Sequence, residues 1–194
     1  MAVDVTDAAR ALGEIEETSG RVTRRQGYRE ASPHFIMWGL VWLFGNGALE
    51  VLPWQTAQYV MAALIAAAVI GAIVLGVRQG RPVPGETSLD IRARKRAGMQ
   101  INMVILLAYA LVIGAVTVFW PVEYRDINAF ISLVAGLVYI GAGVVAGWRW
   151  IAVGGAVVAL TLIGHLLLEQ YYYAWMAVVG GGALILGGLW LRKA

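Results

Sequence analysis

From Ile127 to Leu168 the chain runs 42 residues with a single Lys, Arg, Asp or Glu, Arg149. A helix crosses a hydrocarbon layer about 30 Å thick with about 20 apolar residues, so this stretch is two crossings with a reversal between them. Gly147-Trp148-Arg149-Trp150 marks the reversal: a helix breaker, a cation and two aromatics of the kind that sit at a lipid boundary. The same length rule places spans near 35–52, 57–77, 100–120, 128–147, 150–168 and 173–191. Composition agrees, since 60% of the 194 residues are hydrophobic and 14% charged, against about half and a quarter in soluble domains. The runs show no polar/apolar alternation, which sets aside a β-barrel. The sequence therefore predicts an all-α, polytopic bundle of six transmembrane helices. Residues 1–34 form a charged N-terminal segment, 35–194 the membrane domain, and 78–98 a basic loop within it.

Lys and Arg predict the orientation. The N-terminal segment holds Arg10, Arg21, Arg24, Arg25 and Arg29. The 78–98 loop holds Arg78, Arg81, Arg92, Arg94, Lys95 and Arg96. Arg149, Arg192 and Lys193 fall on the same side, so fourteen of the fifteen basic residues share it and only Arg125 lies opposite. Basic residues collect on the cytoplasmic side of membrane proteins, which predicts both termini inside and points to a bacterial inner membrane. Residues 1–34 contain no apolar core of a cleavable signal, so targeting is expected from the first span.

The spans read as three repeated hairpins, each turning at an acid and an aromatic: "LEVLPW" (49–54), "WPVEY" (120–124) and "LEQYYY" (168–173). Gly143-x-x-x-Gly147, Ala183-x-x-x-Gly187 and Gly180-Gly181-Gly182 permit close helix approach. Spans two, four and six are thus the expected inner helices, and the same glycines would allow a homo-oligomer. In residues 4–26, Ala8, Leu12, Ile15, Ser19 and Val22 recur at helical spacing. That helix either lies on the bilayer, its arginines near anionic headgroups, or docks a cytoplasmic protein partner through residues 1–30. "RPVPGETSLD" (81–90) has a candidate N-cap at Thr87 or Ser88, leading into the basic "IRARKRAG" (91–98). No aromatic pattern or fold accompanies those charges, so nucleic acid is not an expected partner.

Chemistry is sparse. With no Cys, thiol nucleophiles, Fe–S clusters and zinc-thiolate sites are excluded. No Asp, Glu, Lys or Arg lies mid-span, which argues against a proton pump or a voltage sensor. A Ser132–His165 dyad lacks any nucleophile-elbow context, so no enzyme activity, cofactor or metal is expected.

The pattern with most content is paired. "GNGALE" (45–50) ends span one and "GHLLLE" (164–169) ends span five, each placing an acid four residues after an amide or imidazole. That spacing puts Asn46 with Glu50, and His165 with Glu169, on one helix face. Glu123 supplies a third acid, with Thr117 below it. The expected candidate site is an outer collar of Glu50, Glu123 and Glu169 over Asn46, Thr117 and His165. It could serve as a vestibule for a solute, or His165 could sense pH beside a carboxylate. Interfacial polar groups also need no task, since they escape the midplane cost of charge. Two classes remain: a regulatory, sensing or assembly subunit acting through its cytoplasmic segment, or a small channel or transporter for a neutral or weakly polar solute.

Overall fold

A computed structural model describes residues 5–80 and 88–193. The "RPVPGET" stretch 81–87 lies outside the described residues, Thr87 with it. The side chains of Ala8, Leu12, Ile15, Ser19, Val22 and Asn102 lie outside them as well. Nearly all of the described chain is helical, with no strand among its residues.

Six helices follow one another. α1 spans Val5–Val51, α2 Trp54–Gln79, α3 Ser88–Val118, α4 Tyr124–Ala146 and α5 Trp148–Leu167. After a 3₁₀ turn at Glu169–Tyr171, α6 runs from Tyr172 to Arg192, with a wider π-helical stretch at Met176–Gly181. Four segments are long and apolar enough to cross a membrane: Trp54–Gln79, Tyr124–Val144, Trp148–Leu167 and Glu169–Arg192. They mark the chain as an integral membrane protein. Within α3, Met103–Val118 is a shorter apolar stretch.

α1 is the longest element. At 47 residues it reaches about 70 Å at 1.5 Å per residue, so the charged segment and the first apolar run are one continuous helix. Pro33 sits inside it and removes one backbone donor there.

Glycines decide which helices pair. α4 packs most extensively on α5, and α1 on α6. A Cβ on Gly154 would stand 2.6 Å from the Gly136 carbonyl oxygen, and one on Gly181 2.7 Å from the Leu43 nitrogen. Backbone meets backbone at both crossings, which only glycine permits. Gly143, seven residues after Gly136, meets Ile151 in the same way, and Gly188, seven after Gly181, meets Ser32 and Ile36. Gly187 faces Val153 and so turns α6 toward α5 as well.

The inner helices are therefore α1, α4, α5 and α6. The expectation for span two is overturned, because α2 buries only Ala57, Met61 and Ala68 and packs chiefly on α1. Its Gly71 meets only the Met37 sulfur and its Gly76 nothing, so neither admits a second backbone. α3 rests lightly on α4, and most of its described apolar side chains are exposed.

The reversal at Gly147 takes the form the sequence suggests. Gly147 has φ +115°, a region side chains disfavour, and ends α4 one residue before α5 begins. The Tyr28 hydroxyl lies where a side chain at Gly147 would project. Arg149 then fastens this end. It donates to the Trp190 carbonyl at 3.1 Å, with its guanidinium 4.8 Å over the Trp190 ring and 5.7 Å over that of Tyr28.

Candidate functional site

The candidate residues gather at the opposite end of the bundle, where α1 finishes, α4 begins and α5 turns into α6. Five of the six sequence candidates lie there, and they divide into a buried layer and an exposed one.

The buried layer starts at Asn46, 0% exposed on α1. Its Nδ2 donates to the Trp42 carbonyl at 3.1 Å, and its Oδ1 accepts from Asn128 Nδ2 at 3.0 Å. Asn128 Oδ1 in turn accepts from the Tyr172 hydroxyl at 3.0 Å. Ser132 Oγ donates to the Asn128 carbonyl at 2.9 Å. One chain of hydrogen bonds thus ties α1, α4 and α6 together among apolar side chains. Such bonds in membrane proteins average about 0.6 kcal/mol, but stranding a buried partner costs about 1–3 kcal/mol. The arrangement is stable as a unit and costly to leave half made.

The exposed layer centres on Arg125, in the first turn of α4. It reaches Glu169 at 2.6 Å, and Glu123 and Asp126 each at 3.8 Å. Glu169 and Glu123 are 78% and 76% exposed, so water screens both contacts. His165 Nε2 lies 3.8 Å from Asp126, and its ring meets that of Tyr172 edge-on with centroids 6.1 Å apart. Glu50 turns elsewhere: its Oε2 accepts the Ala174 backbone N–H at 3.1 Å, placing a carboxylate at the start of α6 where helix N–H groups lack partners.

The geometry revises two sequence expectations. His165 and Glu169 do not share a helix face, because α5 ends at Leu167 and Leu168 leaves the helical conformation with φ −125° and ψ 42°. Each finds a neighbour on α4 instead, His165 at Asp126 and Glu169 at Arg125. The three-glutamate collar is correspondingly a charge-paired cluster around Arg125, with Glu50 engaged by backbone. Thr117 stands apart: it is exposed on α3 and donates to its own helix at the Ile113 carbonyl, 2.8 Å away. Asn46 and Glu50 do work together, since both reach the Tyr172–Ala174 turn, one through Asn128 and one directly.

Sequence reasoning did not select Arg125, Asp126, Asn128 and Tyr172 for the site. The available signal was the polar "RDIN" (125–128) opening span four, dense for an apolar helix. Tyr172 carried none, as the middle of three tyrosines.

Between α4 and α5 this end opens a cleft of about 180 Å³, lined by Asp126, His165 and Thr161 among Ala129, Phe130, Leu133 and Leu162. His165 Nδ1 and Arg125 Nε are buried atoms without hydrogen-bond partners. Among the described residues, no three of His, Asp and Glu group as metal ligands. The arrangement can fasten helices and redistribute charge at the bundle's rim. Comparison of the chain with protein-family models, curated proteins and solved structures finds no match.

Proposed function

We propose that the chain is a non-enzymatic inner-membrane protein crossing six times, with both termini cytoplasmic. In this reading it serves as a regulatory, sensing or assembly subunit acting through its N-terminal segment. The observation that carries it is the continuity of α1. One helix joins the charged residues before Pro33 to Asn46, the first member of the buried hydrogen-bond chain. A partner engaging residues 1–30 would act on a helix fastened to α4 and α6, so docking and bundle state are mechanically linked. The charge distribution supports the orientation by the positive-inside rule.

The test is capture from native membranes with the full chain and with a variant lacking residues 1–24. Loss of specific partners on truncation is expected. Identical partner sets, with both proteins inserted alike, would remove the docking role.

A small channel or transporter for a neutral or weakly polar solute is the second reading. It rests on the cleft beside His165 and on the acids gathered at that end. Proteoliposome swelling and flux across a panel of small solutes tests it. Flux lowered by His165→Ala and Glu169→Ala would favour it, and absence of any flux would exclude it. An assembly through the glycine faces would show as a defined oligomer in detergent, lost on substitution of glycines outside the two internal crossings.

A further inference from the structure

Ser32 and Pro33 stand side by side in α1, and each departs from the hydrogen bonding of an ordinary helix. Thr117, Ser132 and Thr161 all donate to the carbonyl four residues before them, at 2.7 to 2.9 Å. Ser32 does not. Its Oγ is buried without a partner, and at 1% exposure bulk water does not replace the missing bond. Pro33 supplies the complement: having no N–H, it leaves the Arg29 carbonyl without its helix donor. A donor without an acceptor and an acceptor without its helix donor thus lie three residues apart. That is a spacing at which a serine hydroxyl bonds back to its own helix, and such bonds accompany bending.

What holds α1 differs on the two sides of this pair. From Ser32 onward, backbone meets backbone. A Cβ on Gly188 would stand 3.0 Å from the Ser32 carbonyl oxygen, and one on Gly39 2.9 Å from that of Gly181. Contacts so close have no second arrangement short of parting the helices. On the other side the described fastenings are made by side chains. The Tyr28 hydroxyl lies against Gly147, with the Arg149 guanidinium 5.7 Å over the Tyr28 ring. Gln79 Nε2, from the end of α2, donates to the Glu30 carbonyl at 2.8 Å. Side chains leave such partners by rotation, at the modest cost of one hydrogen bond or one cation–aromatic contact.

We propose that Ser32-Pro33 is a hinge with two settings. In the one the structure shows, Tyr28 is latched to the α4–α5 reversal and Glu30 to α2. In the other, both latches are released and the helix before Ser32 turns against the bundle. Ser32 Oγ then donates to the Arg29 carbonyl, so the bent helix gains a bond that the latched one lacks. Turning also withdraws Tyr28 from Gly147, which is how a partner held by residues 1–30 would be felt at the α4–α5 reversal. The hinge takes its purpose from the docking role proposed above, but its motion is measured without any partner.

The chain has no Cys, so nitroxide labels on introduced cysteines report only the chosen positions. G13C/V144C sets the arm against α4, Gly13 having open space around it and Val144 being 77% exposed. G13C/G27C, both in open space, is the control within the arm. Pulsed-EPR distances are taken on the full chain in lipid nanodiscs. The otherwise unchanged chain should give one narrow distance across G13C/V144C. Q79A/R149Q, which removes both latching side chains, should add a second population there while G13C/G27C stays single. Adding P33A restores the backbone donor and should return the arm to one population. Adding S32A should lower the second population on the order of fivefold, the factor for one hydrogen bond of ordinary strength. A single distance in Q79A/R149Q would overturn the hinge. A second population that survives P33A, or that shows across G13C/G27C, would overturn it as well, since the bending would then lie elsewhere in the arm. S32A without effect would overturn the hydroxyl's bond in the second setting. If R149Q prevents insertion, Q79A alone takes the place of the double variant, and the same outcomes decide.

Discussion

The Asn46–Asn128–Tyr172 chain and the Arg125–Asp126–His165–Glu169 cluster lie side by side on the same helices, yet they differ in what breaking them does. Asn46, Asn128 and Tyr172 are 0%, 4% and 1% exposed, so a polar atom that loses its partner there finds no water. The cluster's carboxylates stand largely in solvent, where a broken pair regains hydration. Neighbouring residues thus carry opposite duties: Asn128 holds the bundle, while Asp126, two residues earlier, can change partners with little effect on the fold.

The largest expected effect tests that division at its centre. Asn128→Leu strands both Asn46 Oδ1 and the Tyr172 hydroxyl and should destabilise the protein by about 2 kcal/mol, read from reversible unfolding in mixed micelles. The combined N46L/N128L/Y172F variant should recover much of that loss, because removing all partners leaves nothing unsatisfied. A triple variant less stable than N128L alone would mean that these groups act by shape and not as a hydrogen-bond chain. Tyr172→Phe comes next. It removes one donor and leaves one acceptor of Asn128 unserved, for a loss of about 1 kcal/mol. A loss as large as that of N128L would locate the energy in the tyrosine's packing on Ala129 and Met176.

Much of the fold is legible from the residues alone because lipid is a strict solvent. Apolar length fixes where helices can run, and Gly147 beside Trp148-Arg149-Trp150 marks a reversal that needs φ +115°. Helix pairing is harder to read. Gly71 and Gly76 on α2 lie in an apolar run, as Gly136 and Gly143 on α4 do, yet only the latter face another backbone. Which glycines meet depends on the rotation of both helices, and that is a property of the packed bundle. The site divides the same way. Asn46 with Glu50 is visible as a spacing and holds, since α1 stays helical through Val51. His165 with Glu169 is an equal spacing that fails two residues past Leu167, where α5 stops. Arg125, read only as the one basic residue on its side, is the hub that the spacing could not supply.

On the exposed side of the comparison, Glu169→Gln should leave the unfolding midpoint where it is, since the carboxylate is mostly in solvent and Arg125 retains Glu123 and Asp126 within reach. A clear drop would move the cluster into the load carried by the buried chain. Thr117→Val should likewise be silent, because that hydroxyl serves only its own helix.

The smallest effect belongs to His165 and Asp126, 3.8 Å apart. That separation is too long for a hydrogen bond, so the stability losses of H165A and D126N should add in the double variant to within about 0.5 kcal/mol. A larger coupling would mean that the pair is a strut between α4 and α5 and belongs with the buried chain.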